Sequence, residues 1–197
     1  MKVKLFYTAR IYTPLDPGRP LKGGQQGRLQ HWDRGALLCR NGLIQKIGPE
    51  KDVLKALPPG GADFDLDCQG LCLTPGFVDP HTHICFAATR EEEFSLRLQG
   101  VPYLEILKRG GGILASVQAV RAASEDQLFS ATRPRINSAL SLGTTAIEIK
   151  SGYGLDLENE LKMLRVIGRL RRETPLDVAA TFLGAHAVPE EYRRQPE

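Results

Sequence analysis

The chain has 197 residues, 42% hydrophobic and 25% charged, which is an ordinary globular composition with length enough for a real core. Twenty-six basic against 23 acidic residues give a formal charge of +3, without the long basic block that a nucleic-acid footprint needs. The start, MKVKLFYTARIYT, is too short and too polar for a signal peptide, and no apolar run reaches the roughly 18 residues of a membrane span, so the chain reads as cytoplasmic with no membrane partner.

Residues 1 to about 74 read as β structure. VKLFYTARIYT is rich in β-branched and aromatic residues, and GALLCRNGLIQKIGP carries Asn41-Gly42 between two apolar runs, the favoured two-residue hairpin turn. The stretch between them, PLDPGRPLKGGQQGRLQHWDRG, is dense in Pro and Gly and is expected to be a loop, with His31 on its surface. The cysteines fall at 39, 68, 72 and 85. Cys68 and Cys72 are spaced CxxxC, but the second half of a zinc site is missing, so buried free thiols are the better reading.

After Pro75 the pattern changes. Ser124 with Gln127 forms a capping box, and apolar periodicity runs on to Leu142, with Gly143 placed to end the helix and Pro134 expected to kink or break it. TTAIEIK is a strand. Asp156 caps a second helix, LENELKMLRVIGRLRRE, with Leu157, Leu161, Leu164 and Ile167 on one stripe and Pro175 beyond its end. LDVAATFLGAH is the next strand. This alternation predicts a parallel sheet with crossover helices, whose chemistry lies at the strands' carboxyl ends. Those ends carry His81 and His83, then Glu148, Lys150 and Tyr153, then His186.

GFVDPHTH gives the most specific signal. Side chains alternate along a strand, so His81 and His83 share a face about 7 Å apart and can hold one metal ion between them. A bare HxH is a weak pattern, whereas at the end of a first barrel-type strand, after Pro-Gly and Asp79, it is a strong one. Read on its own, Arg90 is a solvated arginine beside Glu91, Glu92 and Glu93, Tyr153 a turn tyrosine, and His186 a core histidine. Gly110-Gly111-Gly112 lacks the Lys-Ser/Thr of a phosphate loop and reads as a flexible connection.

LTPGFVDPHTH after a small β region resembles the amidohydrolase superfamily. HTHICFAATREEEFSLRLQGVPYLEILKRGGGILASVQAVRAASE, TTAIEIKSGYGLDLENELKMLRVIGRL and TFLGAHAVPEEYR narrow the resemblance to the imidazolonepropionase family, from about residue 73 to the end. What it implies is a small sandwich-type β domain over 1–74, then over 75–197 the first part of a (β/α)8 TIM-type barrel of the metal-dependent hydrolases. The implied activity is hydrolysis of 4-imidazolone-5-propanoate to N-formimidoyl-L-glutamate in histidine degradation. One zinc or iron ion, on His81 and His83, would lower the pKa of its bound water and polarise the ring carbonyl. Arg90, Tyr153 and His186 would bind substrate, Arg90 pairing with the propionate. The resemblance also leaves room for a homodimer at full length.

A complete barrel takes about 250 residues. The further His and Asp ligands and the general base that the resemblance implies have no candidates here, so the chain is expected to be an amino-terminal part, inactive alone. Two other readings stay open. One is another cyclic-amide hydrolase, hydantoinase-like or dihydroorotase-like, with two metals on a carboxylated Lys150. The other is a non-catalytic truncated relative. For Lys150, pairing with Glu148 or a neighbouring carboxylate is the expected role.

Overall fold

A computed structural model describes residues 2–192, which divide into two compact units between Pro75 and Gly76. In the first unit, β1 (Val3–Pro14), β2 (Leu29–Arg40) and β3 (Leu43–Pro49) form an antiparallel ribbon. The short helix α1 (Glu50–Leu54) follows, then β4 (Phe64–Asp67) and β5 (Cys72–Leu73), both parallel to β1. Asn41 and Gly42 have φ of 52° and 85°, the left-handed pair that a tight turn between β2 and β3 requires. Val53 of α1 packs with Val3, Leu5, Ala36 and Leu38.

Two expectations change, for the loop and for the cysteines. The loop is shorter than its composition suggests: β2 begins at Leu29, and His31 pairs with Tyr12 across the ladder, the rings stacked at 5.9 Å. Partnering by β1 overrides the local Gly and Pro signals. The described residues hold one five-stranded sheet, and the second sheet of a sandwich is not among them. Of the four free thiols only Cys68 and Cys85 are buried; Cys39 is half-buried and Cys72, on the two-residue β5, is exposed.

The second unit is a parallel three-stranded sheet in the order β6 (Phe77–Thr82), β7 (Thr144–Lys150), β8 (Asp177–Thr181). Between β6 and β7 lie α2 (Glu91–Leu98), α3 (Tyr103–Lys108), α4 (Ile113–Ala122) and α5 (Glu125–Ser141); α6 (Leu157–Glu173) links β7 to β8. Ile147, Ile149 and Val178 of the sheet pack with Leu128, Phe129 and Ile136 of α5 and with Met163, Val166, Ile167 and Leu170 of α6. Each such side chain, fully buried, contributes about 1.5–3 kcal/mol.

The capping box of α5 forms in full: Ser124 Oγ accepts from the Gln127 amide at 3.2 Å, and Gln127 Oε1 accepts from the Ser124 amide at 2.8 Å. The helix runs through Pro134 without the expected break. Pro134 and Ser130 lie on the exposed face, where water can satisfy the freed Ser130 carbonyl, while Leu128, Phe129, Thr132 and Ile136 anchor the other face. The stripe expected for α6 is rotated. Leu157 is 73% exposed and Leu161 42%, while Glu160, Met163, Val166, Ile167 and Leu170 are the buried positions. The three glycines at 110–112 form an ordered turn: the Gly112 amide donates to Glu93 at 2.9 Å and the Gly111 amide to the Ile106 carbonyl at 3.0 Å.

Candidate active site

The carboxyl ends of the three parallel strands bring the sequence-predicted residues together. Pro80 has no amide proton, and the β6–β7 ladder is irregular between Asp79 and Thr82. Thr82 restores the pairing through its side chain: Oγ1 donates to the Glu148 carbonyl at 2.7 Å, and the Thr82 amide donates to the Glu148 carboxylate at 3.3 Å. This fixes the strand end that carries the two histidines. The His81 and His83 rings lie edge to face at 5.7 Å between centroids, His81 exposed and His83 half-buried.

His83 is the hub. Its ring stacks on His186 at 4.7 Å with an interplanar angle of 17°, and lies 5.4 Å from Tyr153; Tyr153 and His186 are 5.6 Å apart. β8 ends at Thr181, so His186 sits in the following turn rather than at a strand end. The chain leaves the sheet there because the buried Ser151 hydroxyl accepts the Leu183 amide at 2.9 Å. His186 Nδ1 donates to the Gly152 carbonyl at 2.9 Å, which leaves Nε2 as the acceptor nitrogen.

A cavity of about 160 Å³ opens beside His83, lined also by Phe86, Ala88, Thr89, Arg90, Ser116 and Tyr153. Arg90 precedes the first turn of α2, half-exposed, 3.7 Å from the Glu93 carboxylate. Burial pushes the His83 imidazole pKa down, with His186, His81 and Lys150 adding to the effect and Glu148 opposing it. Burial pushes the Tyr153 phenol up, and nearby Arg90 works against that.

Lys150 and Glu148 form a close ion pair at the end of β7, each side chain about 15% exposed. Burial alone would raise the Glu148 carboxyl. Hydrogen bonds from Lys150, Thr181 and the Thr82 amide outweigh it and hold the pKa below its ordinary value. The Lys150 ammonium is thus engaged by the carboxylate expected for it.

Among the described residues no cluster of three or more His, Cys, Asp or Glu is arranged to hold a metal ion. The two imidazoles nevertheless fit part of such a site. They share a strand end, and His83 Nδ1 is buried without a hydrogen-bond partner, the condition of a nitrogen whose partner is something other than this protein fold. Sequence reasoning missed Ser116 and Glu160. Ser116 is buried in α4 and faces the cavity, but no local pattern marks it. Glu160 reads as a solvated acid near a helix start, whereas it is 1% exposed.

No family model matches the chain. The structure is similar to Escherichia coli guanine deaminase (TM-score 0.65, 14% identity, 91% of this chain and 36% of that one). It is also similar to a metal-dependent hydrolase from Pyrococcus furiosus (TM-score 0.57, 14% identity, 91% and 50%). These likenesses, with parallel strands whose polar residues converge at their carboxyl ends, show a fold that is part of a (β/α) barrel. The sequence is 59% identical over 197 residues to an imidazolonepropionase of Syntrophobacter fumaroxidans, covering all of this chain and 46% of that protein. It is 57% identical over 194 residues to one of Desulfotalea psychrophila, covering 98% and 47%. The likeness to these imidazolonepropionases runs along essentially the whole chain, which spans just under half the length of these curated relatives.

Proposed function

We propose that this chain supplies the metal-binding strand and part of the substrate pocket of an enzyme that hydrolyses 4-imidazolone-5-propanoate to N-formimidoyl-L-glutamate. The observation that carries the reading is the convergence of His83, Tyr153 and Arg90 on one cavity, with His186 stacked on His83 beside it. Zinc or iron would be held in part by His81 and His83, and supplies, when bound, a Lewis acid and an activated water. Catalytic zinc sites take three protein ligands, so two imidazoles complete only part of one. Arg90 offers a guanidinium fork to the propionate, at a cavity wall where a carboxylate is partly shielded from water. Tyr153 and His186 flank His83 and orient the imidazolone ring. His186 does so through Nε2, since Nδ1 is committed to Gly152.

The protein acts on a small molecule in the cytoplasm. No helix among the described residues is long and apolar enough to cross a membrane. A two-metal hydantoinase-like or dihydroorotase-like reading would need Lys150 free for carboxylation, and its ion pair with Glu148 argues against that.

The test is metal analysis and turnover in a full-length context, made by joining these residues to the remainder of a matched relative. His81→Ala and His83→Ala are each expected to remove most bound metal and nearly all loss of imidazolonepropionate absorbance. Unchanged metal content in both variants refutes the ligand assignment. Metal retained by the parent without turnover refutes the substrate.

A further inference from the structure

The turn after β7 holds a buried carboxylate that the proposed chemistry does not use. Glu160 sits in the first turn and a half of α6, 1% exposed, and its side chain reaches back over the turn. Its oxygens accept the Gly152 amide at 2.9 Å, the Gly154 amide at 2.7 Å and the Leu155 amide at 2.8 Å. Among the described residues no Lys, Arg or His forms an ion pair with it, so the backbone amides alone satisfy this charge. A buried carboxylate without such donors would be strongly disfavoured, so turn and side chain fix each other. Nor is Glu160 needed to cap α6: Asp156 already does so, accepting the Asn159 amide at 2.8 Å.

The position of these bonds matters. Tyr153 lies between the two glycines whose amides end on Glu160, and the Gly152 carbonyl receives His186 Nδ1. The turn is held in a conformation that surrounding contacts must maintain, since the non-glycine Leu155 has a φ of 55° and Gly152 one of 105°. Arg121 holds the same turn from outside, Nε donating to the Gly154 carbonyl at 2.8 Å. We infer that Glu160 is a positioning residue: it sets the 152–155 turn and so places Tyr153 and His186 against His83. The inference rests on the substrate reading above for what those two side chains contact.

The experiment compares Glu160→Gln and Glu160→Leu with the parent in the full-length context. The readouts are amide hydrogen exchange, ring-to-ring contacts between Tyr153 and His186 by nuclear Overhauser effects, bound metal and steady-state kinetics. Gln keeps the length of the side chain but aims N–H groups at N–H donors; Leu keeps the volume and removes every acceptor. For Glu160→Gln the expected result is selective. Exchange rises at least about tenfold at Gly152, Gly154 and Leu155 while Ile147 and Ile149 stay protected. The Tyr153–His186 contact weakens, metal is retained, and KM rises on the order of tenfold with a smaller fall in kcat.

Unchanged exchange at the three amides overturns the inference, as does a uniform loss of protection across β7, which would mean a role in global stability only. Selective opening of the turn with unchanged KM overturns it too. If Glu160→Leu does not fold, Glu160→Gln decides alone. A parent without turnover overturns the substrate reading only, and the exchange and ring contacts then judge the positioning of Tyr153 and His186 by themselves.

Discussion

Replacing Gly152 by alanine should damage both the fold and the site. Its φ of 105° lies where L-residues rarely sit, which costs on the order of 1–3 kcal/mol. An added Cβ would meet His186 Nδ1 at 3.0 Å, His186 Cβ at 3.1 Å and the Leu183 carbonyl at 3.1 Å. The imidazole must then move, weakening its hydrogen bond to the Gly152 carbonyl, a net loss of about 0.5–1.5 kcal/mol. The sum is about 1.5–4.5 kcal/mol, with the larger part in the backbone. Urea denaturation in the full-length context measures the stability, and KM for the imidazolone reports the displaced His186. Gly168→Ala is the control. Gly168 lies inside α6, where an added Cβ would find only Arg172 Nη1 at 3.7 Å, so it should stabilise by about 0.5–1 kcal/mol. A Gly152→Ala loss below about 0.5 kcal/mol with KM unchanged would refute the reasoning, because neither strain nor contact would then have been present.

Arg90→Ala should weaken substrate binding by about 2–5 kcal/mol, and Arg90→Lys should recover only part of it, since an ammonium cannot reproduce the guanidinium fork. Binding of an analogue lacking the carboxylate checks this: an equal loss for that analogue would exclude the pairing. Burial pushes the Cys85 thiol up to about 12, so at pH 8 a maleimide should modify exposed Cys72 and leave Cys85 untouched until the protein unfolds. Mass spectrometry of peptides after brief labelling reads the outcome. The Glu148 carboxyl is held below its ordinary value of 4.5, so its contribution is present in full above the unfolded value and is lost as pH falls through the lower folded one. The stability gap between parent and Glu148→Gln should therefore be constant from pH 6 to 8 and shrink below about pH 4.5, as followed by urea titration across pH. A gap independent of pH would mean that shape rather than charge is what Glu148 contributes.

Where signals are local, residues alone sufficed. Asn41-Gly42 makes its turn, Ser124 and Gln127 close their capping box, Asp156 caps α6, and Gly143 ends α5 with a φ of 98°, because each is decided by backbone groups within four residues. The HxH spacing put His81 and His83 at one strand end for the same reason. Partners distant in sequence decided the rest. Composition made residues 29–35 a loop until β1 offered a ladder, and the apolar stripe of α6 predicted a face that its neighbours reject. The buried side of α6 is chosen by Ile147, Ile149 and Val178 on the sheet and by α5, together with a turn whose amides draw Glu160 inward. Periodicity finds a helix because it follows the chain's own 3.6-residue repeat. It cannot weigh two adjacent stripes, since their energies depend on surfaces brought by other elements of the fold. The convergence of His83, Tyr153 and Arg90 on one cavity, with His186 stacked on His83, is of that second kind: it comes from strand ends and the segments after them laid side by side, and from nothing that any one of them carries.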